Sequence, residues 1–350
     1  MIMDERKKRI LQAIIDDYID TAEPIGSRTI ARKHELGLSS ATIRNEMADL
    51  EEMGYLAQPH TSAGRVPSDK GYRLYVDKLM PAHDLKIEDI EKLRSEMEFR
   101  INELSQLLRQ ASAVLSRFTQ YTSMAVSPQL RASTIKAIQV VPIETGKALV
   151  IVVNNADIVR NGLVKISEYI KPQALITISN ILNNRLSGLA LHQVNLHIIK
   201  ELERETGVPG EILMPILDGA ADCIEQIDNQ ELYVEGTSNI LNYPEFKDVA
   251  KARELMSMID EKSTICKALA DNARKDGLTI KIGTENDLTW IKDCSLITVN
   301  YNIADKLSGT IGIIGPTRME YPKVISSLRY ISKIVSDEIN RLTGQDPGTG

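Results

Sequence analysis

The residues best suited to chemistry lie between Ser39 and Ala48. On a helix turning roughly 100° per residue, Ile43, Met47 and Leu50 form one apolar stripe. Ala41, Asn45 and Ala48 then fall opposite, with Thr42 and Arg44 at the flanks. That arrangement suits a helix entering the major groove of DNA. Small residues permit close approach, Arg can take a bidentate grip on guanine, and Asn can do the same on adenine. Ser39, Ser40 and Thr42, beside the open N–H groups of a helix start, can hold phosphate. A second cluster, His60-Thr61-Ser62-Ala63-Gly64-Arg65-Val66-Pro67, offers hydroxyls and Arg65 for phosphate or minor-groove contact, with Gly64 permitting a tight turn. Lys70 and Arg73 follow as candidate backbone contacts. Each feature alone also describes an ordinary solvated face or loop, so the neighbouring elements must decide.

Those elements are legible from periodicity and punctuation. Ile10, Leu11, Ile14, Ile15, Tyr18 and Ile19 mark an amphipathic helix, and Ser27 can cap a short second helix that stops near Leu36-Gly37. Ser39 or Ser40 caps a third helix running to Met53, with Gly54 where a left-handed C-cap belongs. Tyr55 to Val66 reads as strand, loop and returning strand, and Ser68 caps a fourth helix that Pro81 ends. Helix, helix, turn, helix, β-hairpin, helix is the order of a winged helix-turn-helix.

Charge is compatible with a focused surface and not with a nucleic-acid coat. The chain has 350 residues and a net charge of −6. Pro24 to Asn45 carries Arg28, Arg32, Lys33 and Arg44 against Glu35 alone, a local +3, and His60 to Met80 carries a local +2. Apolar residues at 43% and charged residues at 26% place the chain among globular proteins of two or three domains. The longest aliphatic run, Ala148 to Val153, is six residues, far short of the ~20 that cross a bilayer. Three scattered cysteines, Cys223, Cys266 and Cys294, suit a reducing compartment, and the expected location is the cytoplasm, with no membrane partner.

Beyond Pro81, Ile90, Leu93, Met97, Ile101, Leu104, Leu108, Ala111, Leu115 and Phe118 recur on average every 3.5 residues, predicting one long helix. Its seam can pair with another chain or pack on its own downstream domain. Strand patterns follow at Ile135–Ile143, Lys147–Asn154 and Ile158–Ile166. A helical block comes next, interrupted by a short strand at Glu231–Val234. Strands return at Leu278–Gly283, Ser295–Ile303 and Thr310–Ile314, and a terminal helix closes the chain. The pattern predicts an α+β domain around an antiparallel sheet, with the helical block inserted.

Enzyme signatures are missing. His192 and His197 are five apart and do not share a helix face, so a zinc site with Cys223 is a poor fit. Gly309, Gly312 and Gly315 match neither a phosphate-binding loop nor a dinucleotide fingerprint and suit a turn and close strand packing. Trp290, the only tryptophan, suits a core. No enzyme activity, metal or cofactor is expected.

Four blocks carry a family resemblance: Glu23-Pro24-Ile25-Gly26-Ser27; Ser39-Ser40-Ala41-Thr42-Ile43-Arg44-Asn45-Glu46-Met47; Leu50-Glu51-Glu52-Met53-Gly54-Tyr55-Leu56; and Gln58-Pro59-His60-Thr61-Ser62-Ala63-Gly64-Arg65-Val66-Pro67 with Gly71-Tyr72-Arg73. Together they closely resemble the bacterial heat-inducible transcription repressor family HrcA. The resemblance continues in Asn239-Ile240-Leu241-Asn242-Tyr243-Pro244-Glu245-Phe246, Ile282-Gly283-Thr284-Glu285-Asn286 and Ile313-Ile314-Gly315-Pro316-Thr317-Arg318-Met319. It implies an α+β multidomain fold with an N-terminal winged helix-turn-helix (1–80), a connecting long helix (81–120), a GAF-like antiparallel-sheet domain (121–170 and 276–342), a helical inserted dimerisation domain (171–275) and a flexible tail (343–350). It also moves the expected dimer seam away from the long helix. It implies a homodimer that represses chaperonin and Hsp70-type operons by binding the inverted-repeat CIRCE operator, and that a chaperonin keeps active. The DNA-binding set is then Ser39, Ser40, Ala41, Thr42, Arg44, Asn45, His60, Thr61, Ser62, Arg65, Lys70 and Arg73. A ligand-sensing regulator that uses the GAF-like domain as a small-molecule pocket is the alternative.

Overall fold

The computed structural model describes residues 3–60, 63–81, 84–97, 104–128, 134–155, 159–189, 204, 210–228, 231–262, 264–266, 269, 277–287, 291–303 and 307–342. The chain divides into two compact units. The larger takes 1–127, 232–303 and 308–339, and the smaller takes 128–231, 304–307 and 340–350.

The larger unit begins with a three-helix head. Helix α1 (Glu5–Thr21) is capped by Asp4, whose carboxylate accepts the Lys7 N–H at 2.8 Å. Helices α2 (Ser27–Lys33) and α3 (Ser40–Glu52) follow, then the two-residue strands β1 (Leu56–Ala57) and β2 (Val66–Pro67), then α4 (Asp69–Leu74), which runs on into a π turn at Tyr75–Leu79. The strands pair antiparallel, Leu56 with Pro67 and Ala57 with Val66. Ile10, Leu11, Ile14, Ile30, Ile43 and Leu50 are wholly buried and form the head's core.

The seam after Pro81 is not one helix. Helix α5 (Ile87–Glu96) ends where Met97 turns extended, and α6 (Leu104–Thr119) is the next described helix. Gln110 donates to the Glu96 carbonyl at 3.0 Å and Arg117 Nε reaches the Glu96 carboxylate at 3.0 Å, so the two helices lie against each other. Leu93 and Met97 are buried, as are Leu107, Leu108, Ala111 and Leu115. A repeat of 3.5 residues marks an apolar face and does not say whether the helix carrying it is continuous. The predicted helix over 81–120 is therefore two helices, and their seam is used within the chain.

A five-stranded sheet completes this unit, in the order β7 (Leu232–Glu235), β3 (Thr122–Val126), β10 (Leu307–Pro316), β9 (Cys294–Ile303), β8 (Leu278–Ile282). Met124, Leu232, Leu296 and Ile314 of this sheet pack with Ile240, Phe246, Leu255 and Ile259 from the segment between β7 and β8, which includes helix α9 (Val249–Asp260). The terminal helix α10 (Tyr321–Leu342) runs beside β9, where Ser332 Oγ donates to the Asn300 carbonyl at 2.8 Å.

The smaller unit corrects the domain expectation. Strands β4 (Ile135–Glu144), β5 (Lys147–Asn154) and β6 (Val159–Lys165) form their own three-stranded sheet and do not join the C-terminal strands. They pack against α7 (Pro172–Leu186) and α8 (Gly210–Asp228) around Ile138, Val140, Val150, Val152, Ile178, Leu182, Leu213 and Ile216. The inserted unit thus runs from 128 to 231, where 171–275 was expected, and residues 121–170 split at its edge. Strand periodicity reports which face is buried and not which sheet a strand joins. The β4 edge is closed by α7: Asn183 pairs with both backbone groups of Ile138, and Ser179 Oγ accepts the Val140 N–H at 2.7 Å. His192, His197, Trp290 and the tail from 343 lie outside the described residues.

Candidate nucleic-acid interface

The cap of α3 forms as its residue types require. Ser39 Oγ accepts the Thr42 N–H at 3.1 Å and lies 2.9 Å from the Thr42 hydroxyl. Ile43, Met47 and Leu50 face inward. Ala41, Arg44, Asn45 and Ala48 are exposed in one row at helical spacing, Ser39 is exposed beside them, and Ser40 and Thr42 are half-buried. This row is what a groove-reading helix presents to base edges.

A residue that pattern reading missed anchors the helix from below. Glu46 lies in the buried stripe and is itself buried. Its carboxylate lies 2.7 Å from Lys7 Nζ and 2.7 Å from Arg6 Nη2, and Lys7 also reaches Asp49 at 3.0 Å. The Glu46 and Asp49 carboxylates hold the Lys7 ammonium above its usual range. A charge at i+3 from one buried residue and i−4 from another needs a partner. Arg6 and Lys7, adjacent in the first turn of α1, were the available signal. Of the basic stretch over 24–45, Lys33 is tied to buried Asp17 at 2.5 Å and His34 lies 3.2 Å from the same oxygen, whereas Arg28 and Arg32 are exposed.

His60 is exposed at the hairpin loop, and Thr61 and Ser62 lie outside the described residues. The hairpin is held to the head at its far strand. Ile25 and Arg65 exchange both backbone hydrogen bonds at 2.9 Å, and Arg65 Nε donates to Glu51 at 2.8 Å. Gly64 is required there, because a β-carbon would sit 2.4 Å from the Ile25 carbonyl oxygen. Gly64→Ala is expected to cost about 1–3 kcal/mol by forcing that strand outward. A thermal melt checks it, and an unchanged melting temperature would show that the Ile25 contact yields freely.

The two remaining cations are also engaged within the chain. Lys70 Nζ donates to the Met53 carbonyl at 2.8 Å and lies 4.5 Å above the Tyr55 ring, closing the C-terminus of α3. Arg73 does not join the α3 row. Its Nε donates to Glu285 at 2.8 Å, a second nitrogen bonds both Glu285 and the Ile280 carbonyl, the latter at 2.7 Å, and the third reaches Asp77 at 3.3 Å. Burial pushes the Glu285 carboxyl up, but Arg73 and the Ile282 N–H outweigh it and hold the group below its usual range. Among the described residues, no cluster of three His, Cys, Asp or Glu side chains could hold a metal, and no helix is long and apolar enough to cross a membrane.

Residues 105–325 match the HrcA protein C-terminal domain. The heat-inducible transcription repressor HrcA of Acetivibrio thermocellus is 57% identical over 347 residues, covering 99% of each chain. That of Ruminiclostridium cellulolyticum is 57% identical over 344 residues, covering 98% of this chain and 99% of its own. A crystal structure of a hypothetical protein superposes with a TM-score of 0.69 over 97% of this chain and 100% of its own, at 21% identity, and shares the fold. The chain is therefore a transcription regulator that acts on DNA and not an enzyme. It belongs to the HrcA family of heat-inducible transcription repressors.

Proposed function

We propose that this chain represses class I heat-shock operons, those of the chaperonin and Hsp70-type chaperones, by binding the inverted-repeat CIRCE operator as a homodimer that a chaperonin keeps active. The observation that carries the reading is the exposed row Ala41, Arg44, Asn45 and Ala48 on a Ser39-capped helix, in a chain of this family. On this reading residues 1–80 are a winged helix-turn-helix. Arg44 and Asn45 read bases, Ser39, Ser40, Thr42 and His60 contact phosphate, and Thr61 and Ser62 extend that contact in the wing. Arg65 and Lys70 hold the wing and the helix end in place.

The dimer reading draws on the smaller unit. The sheet face turned away from α7 and α8 carries Val141, Leu149 and Leu163 in one cross-strand row and Ala137, Val153 and Val159 in another. Leu163 is 61% exposed, Ile143 57% and Val159 50%. An apolar patch of this kind marks an interface, and a two-fold axis through it would set two heads on two half-sites. A metabolite pocket has less support. Apolar side chains of the sheet and of the segment between β7 and β8 pack together in the described core of the larger unit, and a groove of about 410 Å³ lies between Met80–Ile90 and Pro322–Tyr330 of α10.

Fluorescence anisotropy on the inverted-repeat duplex and on a scrambled one, over a salt series with and without chaperonin, tests the proposal. Selective binding is expected, with log K falling linearly in log salt and rising on addition of chaperonin. Equal weak binding to both duplexes would overturn it.

A further inference from the structure

A single covalent connection leaves a rigid body free to swivel, and the head has one to the rest of the larger unit, where the chain leaves Met80. Two separated contacts oppose that freedom. At the first, on α4, the Asp69 carboxylate accepts both the N–H and the hydroxyl of Thr284, at 2.9 and 2.8 Å. Arg73 there clasps Glu285 and the Ile280 carbonyl, as described above. The fit is close: Gly283 has φ +53°, and a β-carbon on it would lie 2.3 Å from the Asp69 carboxylate. At the second, the end of α1, the Ile19 carbonyl accepts from Arg318 at 3.0 Å, and Glu245 holds the same guanidinium at 2.5 Å. Tyr72 and Tyr321, both fully buried, pack ring to ring at 6.0 Å as part of the same junction. Residues more than 200 positions apart thus meet through charge-assisted hydrogen bonds to side chain and backbone together.

We propose that Asp69, Arg73 and Glu285, with Arg318, are positioning residues: they fix the angle of the DNA-binding head on the sheet of its own chain, and so set the half-site separation that the dimer accepts. The inference rests on the dimeric-repressor reading above. It gives Arg73 an internal role in place of a phosphate contact. A two-headed protein gains from its second site only if both can be engaged at once, and a swivelling head loses that gain without losing any contact to a single half-site.

The test uses the full chain and its variants Asp69→Ala, Arg73→Glu, Glu285→Arg and the double reversal Arg73→Glu/Glu285→Arg. Each is titrated on a duplex with one half-site and on inverted repeats whose spacer varies by single base pairs. Wild type is expected to peak at one spacing. The single variants should keep single-half-site affinity within about two-fold, lose about ten-fold or more at the preferred spacing, and show a flattened spacing profile. The double reversal should restore much of the peak. Unchanged profiles in the single variants would overturn the inference. So would tighter binding at the preferred spacing, which would make the clasp a brake, or an equal fall on the single half-site, which would put these residues in the DNA surface or the head's own stability. A wild-type chain that binds one half-site and two equally well would overturn the dimeric reading itself.

Discussion

Leu163→Glu is expected to make the protein monomeric and to weaken its binding to the inverted repeat by about 10²–10⁴-fold, while binding to a single half-site is kept. Leu163 lies opposite Leu149, which lies opposite Val141, so the substitution puts a carboxylate at the outer end of the apolar row, on its most exposed member. In the isolated chain that position is 61% exposed, and the charge stays in water at little cost to folding. In a dimer that covers this face the same charge would be desolvated without a partner, a penalty of several kcal/mol per ion paid at both copies. Among the described residues no strand pairs with the outer edge of β6, whereas α7 closes the opposite edge of the sheet through Asn183 and Ser179. Sedimentation velocity gives the oligomeric state and anisotropy the affinities. Leu163→Ala is expected to weaken the dimer far less, because it removes area without introducing charge. An intact dimer in the Glu variant would place the two-fold contact elsewhere.

What could be read from the sequence followed from how local each signal is. The caps at Ser39 and Ser68 and the C-cap at Gly54 act within a few residues, and α3 and α4 begin where the N-caps predict. The outward row of α3 follows from its inward stripe, because one helix has one period. The seam over 90–118 was legible as an apolar face but not as two helices, since the turn to extended backbone at Met97 leaves the spacing intact. Strands 135–165 were legible one by one, yet their separation from β8–β10 depends on pairing partners distant in sequence. Charges were the least legible. Arg73 and Arg65 look like DNA contacts in a local count, and their acidic partners, Glu285 and Glu51, are known only once the chain has folded. Glu46 is the converse: its place in a buried stripe predicts a basic partner but does not name it.

The last expected result concerns Arg44 and Asn45, which are exposed side by side on α3. A bidentate base contact contributes about 1–3 kcal/mol of discrimination, so Arg44→Ala should weaken each half-site by roughly 5–150-fold. A dimer carries the change in both heads, and the loss on the full inverted repeat should approach twice that free energy, about 2–6 kcal/mol. Binding to a scrambled duplex should fall much less, because phosphate contacts supply most of it. Asn45→Ala separates charge from base reading. It removes no charge, so the slope of log K against log salt should stay at the wild-type value while selectivity falls. Arg44→Ala should lower both the selectivity and, by about one counterion per head, the slope. Lys70→Ala provides the contrast: its ammonium caps the last turn of α3, and its loss should lower both duplexes together through helix stability. Anisotropy on the two duplexes at four salt concentrations distinguishes these outcomes. If Arg44→Ala and Asn45→Ala weakened both duplexes equally, the outer row of α3 would be a phosphate contact, and sequence choice would have to come from the hairpin that carries His60.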